Sequence, residues 1–300
     1  MEETNFIWYN GKMVPWKECK IHILAHSLHY GSGAFEGMRF YNTDKGSAIF
    51  KLNEHVSRLF GSFSIFGTKI PYSEAEISKA IVDTVRANLS VCKEGYIRPI
   101  IFHDYGTMGV NPSNAPVSVA IAVWPWESYL GKESVKIKTS SYIRLHPKSV
   151  VADAKIGGYY VNSILAGLEA KEQGYDEALL LDYKKNIAEG PGENLFLIKR
   201  GKIYTPELGN ILPGITRESV MEIARDLGYK VIEKKLSLKK LRKADEAFFT
   251  GTAAEVSAIS QIDDKIIGNG KNPIVEKIKS EYLNAVKGKN EKYAKWLTFV

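Results

Sequence analysis

The chain has 300 residues, of which 44% are hydrophobic and 25% are charged, as in an ordinary globular protein. No run is long and apolar enough to cross a bilayer, and the start lacks the basic and apolar regions of a signal peptide. Cys19 and Cys92 could form one disulfide at most, so we expect two free thiols and a cytoplasmic location.

The formal net charge of +7 and the pI of about 9.1 raise the question of an anionic partner. The densest basic run, Lys234 to Lys243, places leucines between its lysines, which is typical of a solvated element with one apolar side. No stacking or groove-reading motif accompanies it, so we expect no nucleic-acid and no membrane partner. A basic nucleic-acid-binding protein without catalysis remains the alternative from a different class.

The first 126 residues predict a mixture of strands and helices, with Asn10-Gly11 as a two-residue hairpin turn. Asn53 is the predicted N-cap of one helix, and Ser73 with Glu76 forms a capping box before another. In chain order the predicted elements are paired strands at 6–9 and 13–14, paired strands at 34–41 and 47–52, helices at 53–66 and after residue 73, and strands at 95–102 and 117–124.

Three histidines, His22, His26 and His29, stand close together and could suggest a metal site. No matching cysteine or carboxylate set joins them, and the glycines that follow interrupt any helix that would hold them in register. The pattern favours structural histidines near a turn.

The second half of the sequence predicts further strands and helices. We predict a first α+β domain at 1–126, a linker at 127–133 and a second domain at 134–300. The predicted elements are a strand at 135–141, a helix carrying Ile164, Leu165 and Leu168, a strand at 177–182, a helix opening near 215 and a strand at 247–250.

Lys155 lies in the stretch AKIGGYY, among small, aromatic and uncharged neighbours. Burial disfavours an ammonium ion, so this setting favours a nucleophilic amine that can form a Schiff base. Gly157 and Gly158 let a flat ligand or a second backbone come close. The alternative is a buried turn whose lysine reaches solvent.

Three further motifs offer complementary chemistry. The turn AEGPGENLF holds Glu189 and Glu193 just ahead of a buried strand, although a turn with solvated acids is the alternative. LPGITR opens a helix whose free amides and Thr216 hydroxyl suit an anion, unless Thr216 is simply the N-cap. Together with Lys155, these supply the amine, the acid and the phosphate cup of a pyridoxal phosphate enzyme.

The chain closely resembles the branched-chain amino acid aminotransferases of the class IV (fold type IV) pyridoxal-phosphate family over essentially its whole length. The resemblance is carried, in order, by HYGSGAFEGMR, EHVSRL, YIRPI, GVNP, AKIGGYY, AEGPGENLF, LPGITR and FFTGTAAEV. It implies a two-domain α+β / α/β fold, with a small N-terminal α/β domain, a larger C-terminal pseudo-barrel domain and the cofactor between them. It also implies a homodimer or higher homo-oligomer that serves branched-chain amino acid biosynthesis.

The resemblance assigns the cofactor residues. Lys155 is expected to form the Schiff base and move the substrate proton, and Glu189 to pair with the pyridine nitrogen. Tyr160 is expected to hydrogen-bond the phenolic oxygen, although Tyr159 is an open alternative for the residue that faces the ring. The remaining cofactor-binding residues implied are Arg58, Glu193, Asn194, Leu212, Gly214, Ile215, Thr216 and Thr252.

The resemblance also assigns the substrate residues. The α-carboxylate is expected against Tyr96 and the turn of Thr252, Ala253 and Ala254, and Arg98 is the expected partner of the distal carboxylate of glutamate. The side-chain pocket implied comprises Tyr30, Phe35, Gly37, Trp126 and Tyr129, with Met108 and Val110 from the partner subunit.

The implied reaction is reversible transfer of the amino group between leucine, isoleucine or valine and 2-oxoglutarate. D-amino-acid aminotransferase and aminodeoxychorismate lyase share the lysine and glutamate, and an R-selective amine transaminase is a further alternative. YIRPI and GTAAEV favour the branched-chain group.

Overall fold

The computed structural model describes residues 2–126 and 132–300, which form two compact units. The first unit contains the described residues up to Trp126, together with Ala154–Tyr159 and Ala285–Val300. The second contains those from Lys132 to Asp153 and Tyr160–Asn284. Among the described residues, no helix has the length and apolar character needed to cross a membrane.

Both units contain strands as well as helices. The strands are β1 (Phe6–Tyr9), β2 (Lys12–Pro15), β3 (Gly33–Phe35), β4 (Met38–Thr43), β5 (Gly46–Phe50), β6 (Gly95–His103), β7 (Val117–Pro125), β8 (Ser134–Ile143), β9 (Glu177–Leu181), β10 (Asn194–Lys199), β11 (Lys202–Thr205), β12 (Val231–Glu233), β13 (Glu246–Gly251), β14 (Glu255–Ile262), β15 (Lys265–Ile266) and β16 (Leu297–Phe299). The helices are α1 (His26–Tyr30), α2 (Leu52–Ser64), α3 (Glu74–Asn88), α4 (Tyr160–Glu172), α5 (Ile215–Asp226), α6 (Leu238–Leu241) and α7 (Pro273–Val286).

The first unit is built on an antiparallel sheet with the order β16-β5-β4-β6-β7-β1-β2, and β3 pairs with β6. The predicted opening hairpin is confirmed, because Tyr9 pairs with Lys12 and both Asn10 and Gly11 have positive φ. Helices α2 and α3 pack on this sheet through buried apolar side chains such as Leu59 and Ile81. The core of the unit therefore lies between the sheet and these two helices.

Local signals predicted one helix start in this unit and missed the other. The capping box before α3 is confirmed, since Ser73 Oγ accepts from the Glu76 amide and the Glu76 carboxylate accepts from the Ser73 amide. The predicted Asn53 cap is wrong. The cap of α2 is Lys51, in a left-handed conformation with its amide donating to the Trp296 carbonyl, so a distant contact sets this helix start.

The second unit is built on a mixed sheet with the order β12-β11-β10-β13-β14-β8-β9, and β15 pairs with β14. Helix α4 packs on β8 and β9, but its buried residues are Ala166 and Ala170. Ile164, Leu165 and Leu168, predicted as the core-facing stripe, are exposed. The helix thus approaches the sheet with its small side chains and leaves its large apolar ones on the outside.

Two segments predicted for the second domain belong to the first unit. Ile156 forms a β-bridge with Ala34, and β16 pairs antiparallel with β5, so backbone hydrogen bonding fixes both segments there. Most of the predicted linker at 127–133 lies outside the described residues. The domain boundaries at 126 and 134 stay a prediction.

Candidate active site

Lys155 is held in the first unit by its own backbone. Its amide donates to Ser62 Oγ at 2.9 Å, and its carbonyl accepts from the Phe35 amide at 3.2 Å. The neighbours Ala154 and Ile156 are buried, and Lys155 Nζ lies 4.9 Å from the centroid of the Phe35 ring. The chain therefore fixes the start of a long, flexible side chain and places its amine beside an aromatic face.

A close backbone contact follows the lysine. Gly31 has a left-handed φ of 64°, and a Cβ built on it would lie 2.7 Å from the Cα of Gly158. This clash requires glycine at residue 31, and a Cβ on Gly158 would itself lie 3.3 Å from the Gly31 Cα, which leaves little room for a side chain there. The sequence prediction that a second backbone approaches here is confirmed.

Arg98 lies among aromatic rings on β6. Its guanidinium carbon is 4.6 Å from the centroid of Phe35, and Nη2 donates to the Tyr96 hydroxyl at 3.4 Å. The buried Nε of Arg98 has no hydrogen-bond partner among the described residues. The structure thus brings three predicted substrate residues together and surrounds a cation with ring faces rather than a carboxylate.

The same cluster explains two further predicted residues. The Tyr96 ring packs at 5.3 Å from Trp126, and also on Trp124, which the sequence did not single out. A Cβ on Gly37 would lie 1.8 Å from the Tyr96 hydroxyl, so any side chain at residue 37 would displace that phenol. Gly37 therefore makes room for the Tyr96 side chain.

The loop that carries Met108 and Val110 is anchored by a histidine. His26 is buried, with Nδ1 2.6 Å from Ser32 Oγ and Nε2 2.7 Å from the Gly109 carbonyl oxygen. Both Met108 and Val110 are exposed, Val110 by 87%.

The other predictions of this region have separate outcomes. Among the described residues, no group of three His, Cys, Asp or Glu side chains could hold a metal ion, and the structural interpretation of the histidines stands for His26. Tyr30 ends α1 and is half-exposed. Tyr129 lies outside the described residues.

Glu189 is the centre of a buried polar cluster in the second unit. Arg144 Nε donates to its Oε1 at 2.6 Å, and Asn194 Nδ2 and the Leu212 amide donate to its Oε2 at 3.0 and 3.1 Å. Asn194 Nδ2 also donates to the Leu212 carbonyl. Such donors suit a negatively charged carboxylate, and they hold its plane fixed.

The turn around Glu193 is closed by that residue. The Gly190 amide donates to the Glu193 carbonyl at 2.8 Å, and the Gly192 amide donates to its carboxylate at 3.0 Å. Glu189 and Glu193 are both about 95% buried, so the alternative of a turn with solvated acids is wrong.

Helix α5 begins next to this cluster. Its N-cap is Gly214, which makes no side-chain cap, so capping by Thr216 is excluded. A Cβ on Gly214 would lie 2.0 Å from Asn194 Oδ1, which requires glycine at this position. The amides of Ile215 and Thr216 belong to the first turn and have no intrahelical acceptor, as an anion site requires.

The remaining predicted residues of this unit lie at element ends. Tyr160 is the first residue of α4, whereas the Tyr159 side chain packs against the core of the first unit. Thr252, Ala253 and Ala254 form the turn between β13 and β14, and Ser257 Oγ donates to the Ala254 carbonyl at 2.7 Å.

Two residues that hold the predicted site residues were missed by the sequence analysis. Arg144 pairs with Glu189 across 45 positions, and Glu36 pairs with Arg58 across 22. Residues so far apart in the sequence form no local pattern that could predict the pairing. Glu36 lies within the motif that carried the resemblance, but nothing in that motif indicates its partner.

Comparisons with known proteins show what the whole chain is similar to. A family model described as amino-transferase class IV matches residues 33–262. The branched-chain-amino-acid aminotransferase of Pseudomonas aeruginosa is 45% identical, covering 100% of this chain and 98% of the relative. The enzyme of that name from Escherichia coli K12 is 39% identical, covering 99% of this chain and 97% of the relative.

A solved structure is similar along the whole chain. The T.th. branched-chain amino acid aminotransferase with pyridoxamine 5'-phosphate has a TM-score of 0.96 at 44% identity, covering 100% of this chain and 99% of that one. That protein has also been solved with N-(5'-phosphopyridoxyl)-L-glutamate and with 4-methylvaleric acid.

The family model and the full-length structural similarity define the class: the chain belongs to the class IV aminotransferases. The resemblance and the two-unit fold predicted from the sequence are confirmed. Within the class, the chain belongs to the branched-chain-amino-acid aminotransferase family.

The residues present fit pyridoxal 5'-phosphate. The second unit offers a buried carboxylate on three donors and a helix start whose cap is a glycine without a side-chain bond. The first unit offers an amine anchored beside an aromatic ring. The carboxylate suits a protonated ring nitrogen, the helix start suits the phosphate, and the amine suits the aldehyde.

Proposed function

We propose that the protein catalyses the reversible, ping-pong transfer of an amino group between leucine, isoleucine or valine and 2-oxoglutarate. The products are the branched-chain 2-oxo acid and L-glutamate. The observation that carries the proposal is full-length similarity, at up to 45% identity, to branched-chain-amino-acid aminotransferases. The cofactor is pyridoxal 5'-phosphate, which supplies an aldehyde that links to amines and a ring that accepts the electrons released at the substrate α-carbon.

The catalytic roles follow the contacts of each side chain. Lys155 would hold the cofactor through its aldehyde carbon, and its amine, once free of that bond, would take and return the substrate α-proton from the fixed origin that its anchored backbone gives. Glu189 pairs with the ring nitrogen and favours a proton there, because Arg144, Asn194 and the Leu212 amide keep the carboxylate in place. Tyr160 donates a hydrogen bond to the phenolic oxygen.

The phosphate is bound by groups of two kinds. The helix start at Ile215 and Thr216 offers backbone amides and the positive end of the α5 dipole. Arg58 and Thr252 add a charge and a hydroxyl. Gly214 would let the backbone come close to the phosphate. Leu212 would pack on the cofactor ring, and Glu193 and Asn194 would lie at the edge of that ring.

Substrate choice is explained by the aromatic cluster of the first unit. Phe35, Tyr96 and Trp126 offer an apolar surface to a branched side chain. Arg98 offers the cation that the distal carboxylate of glutamate needs, and its Nε has no partner among the described residues. Tyr30, Gly37 and Tyr129 complete the proposed pocket, while Tyr96 and the Thr252–Ala254 turn bind the α-carboxylate.

A panel of amino donors tests the function. Purified protein with pyridoxal phosphate and 2-oxoglutarate should consume L-leucine, L-isoleucine and L-valine with formation of glutamate. Faster turnover of D-alanine, aminodeoxychorismate or aromatic amines would assign the chain to another activity of the class.

A lysine substitution tests the catalytic assignment. Lys155→Ala should remove the borohydride-reducible attachment of the cofactor and lower turnover by ~10⁴-fold, because nucleophile and proton carrier are lost together. Lys234→Ala is the matched control, since Lys234 also lies over an aromatic ring, 4.6 Å from the Tyr204 centroid. Peptide mass spectrometry after reduction locates the attachment, and a label found elsewhere contradicts the role of Lys155.

We also propose that the working form is a homodimer or higher homo-oligomer in which Met108 and Val110 complete the partner's substrate pocket. Their exposure supports this, because both apolar side chains are accessible to a second copy of the chain. Light scattering should give a mass of at least twice 33.5 kDa. Val110→Asp should weaken leucine binding without affecting Lys155 attachment, and a monomeric active enzyme would contradict the proposal.

A cytoplasmic location is part of the same proposal. It rests on the cysteine content, and recovery of the activity in the soluble cytoplasmic fraction of the source cells would test it.

A further inference from the structure

Glu36 is a buried acid to which the proposed reaction gives no role. It lies between β3 and β4 in the first unit and is fully inaccessible to solvent. Its amide donates to the Pro99 carbonyl at 2.9 Å, so the backbone of the residue is tied to β6. A carboxylate in such a place is costly unless charged or polar groups compensate for the lost water.

Two side chains of α2 provide that compensation. Arg58 donates from Nε to Glu36 Oε1 at 2.6 Å and from Nη2 to Oε2 at 2.9 Å. His55 Nδ1 lies 2.8 Å from Oε2, and since a carboxylate only accepts, this nitrogen carries the proton. His55 and Arg58 are three positions apart and therefore share one face of the helix.

The charges of this cluster are defined. Burial alone would raise the pKa of Glu36, but the charge of Arg58 and the hydrogen bond from His55 hold it well below its ordinary value. Burial lowers the pKa of His55, so its ring is neutral near pH 7. The cluster is thus an ion pair between Glu36 and Arg58, with His55 as a neutral donor.

The ion pair fixes the orientation of a guanidinium group. The carboxylate occupies the Nε and Nη2 edge of Arg58, and because the guanidinium is planar, the Nη1 group is directed away from Glu36. An arginine side chain without such a fork would sample many rotamers. With the fork, the plane of the group and the direction of Nη1 are set before any ligand arrives.

We propose that Glu36 is a positioning residue for the cofactor phosphate, because it holds the Arg58 guanidinium in the orientation in which it binds that phosphate. The inference rests on the proposed function, in which Arg58 is a phosphate ligand.

Loss of the Glu36 charge has two opposite effects on phosphate binding. An unneutralised Arg58 attracts a dianion more strongly if the guanidinium stays in place. A guanidinium released from the fork must be ordered again on binding, which weakens affinity. Our proposal requires the second effect to be larger, so the sign of the affinity change decides the matter.

The experiment compares pyridoxal phosphate with pyridoxal, which has the same ring but no phosphate. Dissociation constants of both are measured by absorbance titration of the full-length apoprotein. Glu36→Gln should weaken binding of pyridoxal phosphate about tenfold and leave pyridoxal binding unchanged. In an Arg58→Lys background, Glu36→Gln should cause no further loss, since the residue through which it acts is already altered.

The matched control is Asp263→Asn, which removes a buried carboxylate from another arginine, Arg242, 2.8 Å away in the second unit. It should change neither dissociation constant. If thermal unfolding shows that Glu36→Gln does not fold, Glu36→Asp takes its place, because it keeps the charge and shortens the fork.

The outcomes separate this inference from the proposed function. Equal loss for both ligands, or tighter binding of pyridoxal phosphate, overturns the positioning role. Failure of the parent chain to bind pyridoxal phosphate contradicts the proposed function. If the Arg58→Lys variant keeps the parental preference for pyridoxal phosphate over pyridoxal, Arg58 does not bind the phosphate. The inference about Glu36 is then also wrong.

Discussion

Each unit contains a buried arginine–carboxylate pair, and the two pairs differ in which partner the chemistry uses. In the first unit Glu36 holds Arg58, and the arginine is the proposed ligand of the cofactor phosphate. In the second unit Arg144 holds Glu189, and the carboxylate is the proposed partner of the ring nitrogen. The same kind of ion pair therefore offers its cation to the cofactor in the first unit and its anion in the second.

The hydrogen bonds around each pair match this difference. Glu36 accepts from two nitrogens of Arg58 and from His55, so the fork determines the plane of the guanidinium. Glu189 accepts from one nitrogen of Arg144, and Asn194 and the Leu212 amide supply the other donors.

Glu189→Gln should have the largest effect on this comparison. The amide keeps the shape of the side chain but loses the negative charge, so turnover should fall by ~10³-fold while the cofactor stays bound. Steady-state kinetics measure the turnover, and cofactor absorbance measures whether the cofactor stays bound. Glu233→Gln, which removes the carboxylate partner of Arg217, is the control, and near-parental turnover of Glu189→Gln would contradict the proposed role.

Arg98→Ala extends the comparison to a third arginine. Arg98 lies among aromatic rings and has no carboxylate partner among the described residues. It should lower kcat/KM for glutamate by ~10²-fold and for leucine by less than about tenfold, because only glutamate brings a second carboxylate. The ratio of the two values is the measurement. Equal losses for both substrates would remove the dual-recognition role of Arg98.

Arg144→Met tests whether the partner in the second unit positions Glu189. Since it leaves a buried carboxylate without its cation, the free energy of unfolding should fall by about 3 kcal/mol. Turnover should fall about tenfold, and less in a Glu189→Gln background, since the two residues act together. Denaturant titration and kinetics check both, and full additivity would indicate independent roles.

A pH series tests the pair in the first unit and should show the smallest effect. Burial lowers the pKa of His55 below its ordinary 6.5, so below pH 6.5 the unfolded chain binds a proton there that the folded chain does not. The free energy of unfolding should therefore fall progressively as the pH is lowered below 6.5. Glu36, with its lowered pKa, adds a further loss below its ordinary value of 4.5.

The control for this series is His55→Gln. Its amide still donates to Glu36 but does not titrate, so the decline between pH 6.5 and 4.5 should become shallower and retain only the contribution of other groups such as His103, whose pKa burial also lowers. An identical pH profile for the variant and the parent would show that His55 is not responsible for the upper part of the decline.

Signals that act between near neighbours could be predicted from the sequence. The hairpin at Asn10-Gly11 and the capping box of α3 depend on residues at most three apart, and both are present. The Lys155 segment could be singled out because a lysine rarely lies among small, aromatic and uncharged residues. The Glu189 turn could be singled out because it places carboxylates just ahead of a buried strand.

Features set by distant contacts could not be predicted in the same way. The Lys51 cap depends on a hydrogen bond to Trp296, and the partners Glu36 and Arg144 are separated in the chain from the residues they hold. The apolar residues of α4 were misplaced because periodicity identifies an apolar face but does not say whether this chain covers it.

The position of β16 in the chain has a consequence for synthesis on the ribosome. This strand borders β5 in the first sheet, yet it is translated only after the whole of Tyr160–Asn284 has been made. Until then the backbone groups of β5 on that side lack their final partner, and an open strand edge invites pairing with another nascent chain. Polysomes that carry this message should therefore depend on chaperones that shield exposed edges until translation passes Phe299.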